Sequence, residues 1–340
     1  MRTLPRARNS RWNRRSRRPR RPTGPVGTGR SGRRLPSLVP ALTVPLALLL
    51  TACGTGDPSA DAAGAGAGSG AVPTADVVSG IARNAAAARL LPPGSGELTL
   101  AVSVGGTPPG TTYLADGRTL TGQDVDFSRA VAKALGIRLK VEQASFEAIL
   151  PALDSGKYDI GASNFGVTEE RLGTIDFVTY INDGQGFAAR ADSGLSPVTD
   201  LVRLCGRKVA TSAGTTFEAT LTENVHRCAE AGKKPYEVRT YSETGALWSS
   251  LQQGRSDVVM STINGLRYAV AHQPGLEFLN EFHRLDVGFA LRKGSPLAPA
   301  LQAAVNGLIE DGTYDRILRK WGTTGSAIPR SEISPPELKS

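Results

Sequence analysis

One arginine follows a polar stretch at the point where a predicted strand gives way to a predicted helix. Residues 158–162 are a short apolar run typical of a buried strand, residues 163–168 (SNFGVT) form a polar loop, and Glu169-Glu170-Arg171 begins the helix. Thr168 is the predicted N-cap, because its hydroxyl can accept a hydrogen bond from a backbone N–H of the first turn. Such a helix start attracts anions, and the planar guanidinium of Arg171 matches a carboxylate. The stretch therefore predicts a carboxylate-binding site.

A helix and a repeat of the same pattern position this loop. An amphipathic helix precedes the strand, with Phe146, Ile149, Leu150 and Leu153 on one face and Gly156 at its end. Residues 145–159 can also be laid over residues 243–257. The matched pairs are Gly156 with Gly254, Asp159 with Asp257, Leu153 with Leu251, and, after an apolar run in each copy, Ser163 with Ser261. We interpret the repeat as two similar α/β lobes, each presenting a polar loop, with a ligand between them.

A second polar loop has the same arrangement of strand, loop and helix. Residues 208–211 form a predicted strand that ends at 212–216, and a helix begins at Phe217. The Gly214-Thr215-Thr216 segment before this helix predicts a second anion cradle, since the first N–H groups of a helix have no partner within it.

The remaining elements fit an α/β chain. Asp124 and Asp126 stand at the start of one predicted helix, where capping and favourable interaction with the helix dipole account for them better than catalysis or metal binding. The other predicted elements are an Ala-rich helix at 76–91, strands at 98–102, 139–141, 236–241 and 287–291, a turn at Asp116-Gly117, and closing helices across 297–321.

The net charge of +9 belongs to the start of the chain. Residues 1–34 hold 13 arginines and no acid, so the remaining 27 basic residues are set against 31 acids, a balance of about −4. The basic residues therefore do not predict a nucleic-acid-binding surface.

The first 52 residues have the pattern of a signal peptide. An apolar run at 38–50 follows the arginines and is too short to span a bilayer. Leu50-Thr51-Ala52-Cys53 resembles the lipobox of bacterial lipoproteins, in which the cysteine becomes the lipidated first residue. The alternative is a small-residue cleavage site with an incidental cysteine. Residues from Gly54 to about Ala75 are rich in Ala, Gly and Ser, as in a flexible linker.

The cysteines and histidines limit the chemistry of the chain. Cys205 and Cys228 predict a disulfide, worth roughly 3 kcal/mol by loop entropy; two separate buried thiols are the alternative. The three histidines have no metal-ligand spacing, so we expect no metal site and no cofactor. We identify no Ser/His/Asp arrangement, and the acids nearest the predicted site, Glu147 and Glu169, come with no base or nucleophile, so we expect no catalytic residues and no enzyme.

Taken together, these motifs make the chain similar to the extracellular solute-binding proteins of ABC transporters, in the polar amino-acid family, family 3. The matching segments are 120–127 (LTGQDVDF), 145–159 (SFEAILPALDSGKYD), 167–171 (VTEER), 213–216 (AGTT), 311–314 (DGTY) and 320–322 (KWG). They follow the family's order over about 96–322, and their joint order and spacing carry the resemblance.

The resemblance implies roles for individual residues. Arg171 falls on the arginine that holds the ligand's α-carboxylate, and Thr216 falls on a second-lobe residue that also contacts it. Phe146 falls on a side chain that packs against the ligand, although it can equally be a core residue of its helix. Asn164 and Gly166 fall on loop positions that contact the ligand.

Three positions depart from the family pattern. The loop at 104–110 lacks the usual aromatic residue, and Gly166 stands where Ser or Thr is common. Thr262 stands where an acid usually pairs with the ligand's ammonium group. The resemblance therefore implies a ligand with a carboxylate more directly than an unmodified α-amino acid.

The implied architecture is a two-lobed α/β fold of the type II periplasmic-binding-protein kind, with two hinge crossings near 187–190 and 286–290. We expect a signal peptide with lipobox at 1–52, a lipid-anchored linker and short helix at 53–95, lobe 1 at 96–188, lobe 2 at 189–286, a return to lobe 1 at 287–322 and a tail at 323–340.

The expected function is that of a lipid-anchored substrate-binding component of an ABC importer. It would bind a small polar solute, deliver it to a permease in the cytoplasmic membrane, and act as a monomer on the extracellular face of that membrane. The alternatives are a lipoprotein that senses ligand occupancy and a dehydratase-type enzyme on the same fold.

Overall fold

The computed structural model describes residues 72–338. The predicted signal peptide, the predicted lipidation site Cys53 and most of the predicted linker lie outside these residues. No helix within 72–338 has the length and apolar composition needed to cross a membrane.

Helices and strands alternate along the described chain. In order they are α1 (Ala85–Ala88), β1 (Glu97–Val102), β2 (Thr112–Tyr113), β3 (Leu120–Thr121), α2 (Gln123–Leu135), β4 (Arg138–Gln143), α3 (Phe146–Asp154), β5 (Ile160–Gly166), α4 (Glu169–Leu172), β6 (Ile175–Arg190), β7 (Lys208–Ser212), α5 (Thr216–Asn224), α6 (Arg227–Glu230), β8 (Glu237–Tyr241), α7 (Thr244–Gln252), β9 (Val258–Thr262), α8 (Ile263–His272), β10 (Leu276–Arg292), α9 (Ala298–Glu310) and α10 (Thr313–Trp321).

The main sheet has the strand order β4-β1-β5-β10-β6-β9-β7-β8. Strand β1 pairs in parallel with β4 and β5, and β7 pairs in parallel with β8 and β9. The long strands β6 and β10 pair antiparallel with each other and join the two halves. The half with β4-β1-β5 is lobe 1, together with α1–α4, α9 and α10. The half with β9-β7-β8 is lobe 2, together with α5–α8, and the expected two-lobed α/β fold is confirmed.

Each lobe buries apolar side chains on both faces of its sheet. In lobe 1, Phe127 of α2 packs against Tyr180 and Tyr314 on one face, with ring centroids 5.2 and 5.3 Å away. On the other face, Ile149 and Leu153 of α3 pack into a separate cluster. Lobe 2 likewise has two clusters, one around α5 and one around α7 and α8. Burial on both faces explains why the central strands are almost entirely apolar.

The predicted internal repeat is visible as equivalent hydrogen bonds. The Asp159 backbone N–H donates to the carbonyl of Thr99 (3.0 Å), and the Asp159 carboxylate accepts from the Thr99 N–H (2.7 Å). Asp257 makes the same pair of bonds with Lys208 in lobe 2, both at 2.8 Å. In both lobes, therefore, an aspartate locks the start of the third strand to the first.

The two crossing strands define the hinge. Strand β9 joins β6 only from Gln185 onward, and on the other side Val167 of lobe 1 still hydrogen-bonds the carbonyl of Asp286. Between these points Asp183 lies opposite Leu285, and Gly184 lies opposite Arg284. The point where β6 and β10 pass from one lobe's strands to the other's therefore lies before residues 187–190 and 286–290, where the sequence predicted the crossings. The expected lobe boundaries remain predictions. Gly184 has φ +153°, and a Cβ there would lie 2.1 Å from the carbonyl oxygen of His283.

Three predicted elements have different bounds in the structure. The helix expected at 76–91 is only α1, because Asn84 caps its first turn and the residues before it contact lobe 1 instead, as Lys133 Nζ does with the Ser79 carbonyl (3.0 Å). The polar loop expected at 163–168 is a strand as far as Gly166, since Phe165 and Gly166 pair with β10. The strand expected at 287–291 is the end of β10, which begins at Leu276.

The capping part of the interpretation of Asp124 and Asp126 is wrong, although both aspartates do lie in the first turn of α2, where the interaction with the helix dipole requires them. Helix α2 begins after Gly122 without a side-chain cap, and both aspartates turn to distant partners. Asp124 accepts from the Tyr180 hydroxyl at 2.6 Å. Asp126 accepts from Trp321 Nε1 at 2.8 Å and forms a buried ion pair with Lys320 at 2.7 Å. Local sequence shows a helix start, but it does not show partners that are 56 or nearly 200 residues away.

Two further features complete the fold. Cys205 and Cys228 form the predicted disulfide, which lies entirely within lobe 2. The C-terminal segment runs along the free side of β6 in lobe 1, where Ile333 bridges to Val178 and the Ser334 N–H donates to the carbonyl of Phe177 (2.8 Å).

Candidate functional site

A cavity of about 270 Å³ lies between the lobes. It is bordered by every ligand-contact residue that the sequence predicts: Phe146, Asn164, Gly166 and Arg171 from lobe 1, and Thr216 and Thr262 from lobe 2. Pockets for small molecules usually measure about 300–1,000 Å³, so this one suits a small ligand.

Arg171 is held with its guanidinium beside two aromatic rings. Thr168 caps α4 as predicted, accepting from the Arg171 N–H at 3.3 Å, and Arg171 Nη1 donates to the carbonyl of Gly166 at 3.0 Å. The guanidinium carbon lies 6.0 Å from the ring centroids of Phe146 and Phe165. Burial lowers the pKa of Arg171, but arginine stays charged in proteins. Glu170 and Glu337 act on its charge from a longer range, but within residues 72–338 no carboxylate lies within 4.0 Å of it, so Arg171 borders the cavity without an ion-pair partner.

Phe146 combines the two interpretations that the sequence allowed. Its ring packs against buried Phe165 with centroids 4.9 Å apart, as a core residue would. It is only half-buried and borders the cavity. One face of the helix therefore supplies both a core contact and an apolar wall.

The second polar loop is partly occupied by its own helix. Thr215 caps α5 by accepting from the Glu218 N–H, and the Glu218 carboxylate accepts from the Gly214 N–H at 2.7 Å. The predicted anion cradle therefore loses one of its donors to Glu218. Thr216, at the first position of α5, borders the cavity, and its carbonyl accepts from Gln185 of the hinge strand β6 (3.3 Å).

Thr262 has a local structural role in this chain. It is the N-cap of α8, and its hydroxyl oxygen accepts from the Gly265 N–H at 3.0 Å. The side chain still borders the cavity. A threonine here can cap the helix and donate one hydrogen bond, but it supplies no charge for a ligand's cation.

Sequence reasoning missed Trp248. Its indole Nε1 donates to the Thr107 hydroxyl across the cleft at 2.8 Å, and both residues border the cavity. Thr107 belongs to the loop that lacks the expected aromatic residue. The structure therefore brings an aromatic side chain from lobe 2 to this loop. The one signal available was a tryptophan in the second copy of the repeat.

Sequence reasoning also missed Asp183. This hinge residue is 2% exposed and borders the cavity. It accepts from the Asn264 backbone N–H and from Asn164 Nδ2, both at 3.2 Å. Burial raises its pKa to about 6 against these hydrogen bonds. Asp124 also borders the cavity, and burial raises its pKa to about 6 although the Tyr180 hydroxyl donates to it.

These raised pKa values predict a pH effect on stability. The folded state holds the protons of Asp124 and Asp183 up to about pH 6, whereas an unfolded aspartate has a pKa near 3.9. Each of the two groups therefore makes the free energy of unfolding fall as pH rises from about 4 to about 6. We expect the stability of Asp183→Asn relative to the wild type to increase by roughly 1–3 kcal/mol between pH 4 and pH 7, measured by urea unfolding.

Asp176 provides the matched control. Hydrogen bonds from Lys293, Gly294 and Ser334 outweigh the effect of burial and lower its pKa. Asp176→Asn should therefore lose stability at pH 7 and lose less at pH 3, the opposite trend. The prediction would be contradicted if the stability difference between Asp183→Asn and the wild type stayed constant from pH 4 to pH 7.

Comparison with known proteins gives concordant matches. Residues 100–324 match the family model described as bacterial extracellular solute-binding proteins, family 3. The "Arginine-binding protein ArgT" of Corynebacterium glutamicum is 30% identical over 233 residues, which cover 67% of this chain and 75% of that protein. The solved structure titled "An ancestral arginine-binding protein bound to arginine" is 31% identical with a TM-score of 0.59, covering 66% of this chain and 98% of the other. A structure titled as the ancestral amino acid-binding protein AncCDT-1, "a precursor of cyclohexadienyl dehydratase", is 27% identical with a TM-score of 0.59, covering 66% and 95%.

Proposed function

The chain belongs to the bacterial extracellular solute-binding proteins, family 3, and from this we propose that it is the substrate-binding component of an ABC importer. In this proposal the cleft binds a small polar solute with a carboxylate, an amino acid or a close relative of one, and delivers it to a permease. Members of the family act outside the cell, and the relatives matched above are named as amino-acid-binding proteins, not as enzymes.

The position of Arg171 at the cavity gives the proposal its main support. A largely buried guanidinium that borders the interlobe cavity, with no carboxylate within 4.0 Å among the described residues, is costly unless a ligand supplies the anion. The start of α5 lies across the cavity and adds the Thr216 hydroxyl and nearby backbone donors. The two lobes thus offer donors to one carboxylate from opposite sides, which supports binding with closure of the hinge.

Anchoring is part of the same proposal. We infer that Cys53 carries a lipid that holds the protein, as a monomer, on the outer face of the cytoplasmic membrane, with the Ala/Gly/Ser-rich segment as tether. Metabolic labelling with a radiolabelled fatty acid tests this, because Cys53→Ser should abolish the label and release the protein into the medium.

Calorimetric titration against the common amino acids tests the binding function. The protein is first unfolded and refolded, so that ligand carried through purification is removed. We expect one amino acid, or a small related group, to bind with a submicromolar Kd and without turnover. Absence of heat with every amino acid would contradict the proposal, and conversion of the ligand to another product would favour the dehydratase alternative.

Closure of the lobes also predicts an effect at Gly214. This residue lies in lobe 2 with φ +71°, and a Cβ there would lie 2.9 Å from Cβ of Glu147 in lobe 1. Gly214→Ala should therefore keep the lobes from reaching this contact and weaken binding by roughly 1–3 kcal/mol, the usual cost of overpacking. The tightest amino acid from the titration serves as the probe, with affinity measured by calorimetry.

Gly156→Ala is the matched control for Gly214→Ala. Gly156 has φ +75°, so both variants force a side chain into the left-handed region, but a Cβ at 156 would meet nothing within 4 Å. Both substitutions should lower stability, and only Gly214→Ala should lower affinity. Equal affinity losses in the two variants would assign the effect to backbone strain.

A further inference from the structure

We propose that the ligand is an amino acid with a basic side chain, and that Asp183 on the hinge strand receives one of its positively charged groups. The inference rests on the proposed binding function and assigns the ligand class of the same cleft. It also places the cation-binding acid at a position other than the one implied by family resemblance, where this chain has Thr262.

Two buried acids of the cavity wall have no ion-pair partner. Asp124 and Asp183 are 3% and 2% exposed, and both border the cavity. Within residues 72–338 neither has a Lys, Arg or His nitrogen within 4.0 Å, and Arg284 acts on Asp183 only from beyond that distance. Fully buried carboxylates are rare unless they are paired. Asp126, two residues from Asp124, is equally buried but forms an ion pair with Lys320.

The charged side chains of the cavity wall are mostly acidic. Its acidic side chains are Asp124, Glu147, Asp183 and Glu243, and its one basic side chain is Arg171. A carboxylate bound at Arg171 leaves four acids. Glu147 and Glu243 are exposed to solvent, whereas Asp124 and Asp183 are buried. A ligand with one positive group can compensate only one of the two buried acids, whereas a basic amino acid brings two positive groups. The wall therefore disfavours acidic ligands and favours those that are cationic overall.

Asp183 is bonded to both lobes. Its carboxylate accepts from Asn164 of lobe 1 and from the Asn264 N–H at the start of α8 in lobe 2. Both bonds are 3.2 Å long and leave acceptor capacity, since an ionised carboxylate can accept about four hydrogen bonds. A cation bound here would stabilise an acid that is held by both lobes at once.

The cavity also holds an unused polar group. The Thr111 hydroxyl is buried, borders the cavity and has no hydrogen-bond partner among the described residues. Ammonium and guanidinium groups have several donors each, so they can satisfy more than one acceptor. A purely apolar ligand tail would leave this hydroxyl unsatisfied.

The test uses L-arginine and two analogues that each lose one positive charge. L-citrulline has a neutral side chain of nearly the same shape, and the α-hydroxy acid of arginine lacks the α-ammonium group. We expect the wild type to bind L-arginine with a submicromolar Kd and to bind at least one analogue roughly 30-fold more weakly or worse. We expect Asp183→Asn to bind L-arginine at least roughly 30-fold more weakly than the wild type does. In this variant the affinities for L-arginine and for the discriminated analogue should differ by no more than about threefold.

Asp192→Asn is the control, because Asp192 is 77% exposed and lies outside the cavity wall, so its affinities should equal those of the wild type. Circular dichroism verifies that Asp183→Asn is folded; if it is not, the two analogues still test on the wild type whether the ligand's positive groups are recognised. Equal binding of all three probes by the wild type, or full discrimination by folded Asp183→Asn, would overturn the inference. Wild-type binding of a neutral or acidic amino acid, but not L-arginine, would overturn the ligand class while the proposed function stands. If no amino acid binds, the proposed function itself fails.

Discussion

Replacing Arg171 with alanine is expected to weaken ligand binding by roughly 2–5 kcal/mol, a loss of about 30-fold to several thousandfold. The ligand's carboxylate would enter the cleft without its charged partner. The surroundings of Arg171 make the loss large, because burial and the nearby rings of Phe146 and Phe165 provide no other charge or hydrogen-bond donor for a carboxylate. Calorimetric titration with the tightest amino acid measures the change.

Two further variants separate the charge of Arg171 from its geometry. Arg171→Lys keeps the charge but loses the planar fork, so its affinity should fall between those of the wild type and Arg171→Ala. Arg138→Ala is the control, because Arg138 is an exposed arginine of β4 with an 80% exposed side chain. A loss below about 0.5 kcal/mol for Arg171→Ala, the range of a neutral surface substitution, would place the carboxylate elsewhere.

Replacing Lys320 with methionine is expected to lower the free energy of unfolding by about 3–5 kcal/mol. Lys320 and Asp126 form an ion pair at 2.7 Å with side chains only 7% and 5% exposed. The substitution removes the cation and leaves the carboxylate buried, with Trp321 Nε1 as its remaining donor (2.8 Å). Urea unfolding followed by circular dichroism measures the loss.

Removing both charges should restore most of that stability. In Asp126→Leu/Lys320→Met no charge is stranded, and the remaining cost is the unsatisfied indole N–H of Trp321, about 1–3 kcal/mol. Lys140→Met is the surface control, since Lys140 is 62% exposed in its pair with Glu142 and should change stability by less than about 1 kcal/mol. If Lys320→Met destabilises no more than Lys140→Met, the pair is not buried in solution.

The parts of the fold that the sequence predicted are those set by local patterns. The repeat was visible because a glycine, an aspartate and an apolar face recur at the same spacing. In the structure, Asp159 and Asp257 form equivalent hydrogen bonds in the two lobes. Thr168 was predicted as a cap because capping needs only neighbours within one turn. The prediction of a carboxylate-binding site rests on the same local pattern, this cap followed by Arg171.

The parts that were missed depend on distant partners. Asp183 resembles any polar residue of an extended segment until Asn164 and Asn264 are brought to it from two lobes. Trp248 reaches Thr107 across 141 residues of chain, and Asp126 reaches Trp321 across 195. A helix-start pattern is compatible both with an aspartate that caps the helix and with one that forms a buried ion pair, so only the tertiary structure distinguishes the two.

The course of the C-terminal segment bears on aggregation. An unpaired strand edge is a template for pairing with another molecule. On β6 in lobe 1 that edge is covered, because Ile333 and Ser334 bond to it. The outer strands of the sheet carry charges instead, at Arg138, Lys140 and Glu142 on β4 and at Glu237 and Arg239 on β8. A chain shortened before Ser331 would keep both charged edges but expose an apolar one, and would be prone to stack edge to edge into insoluble assemblies.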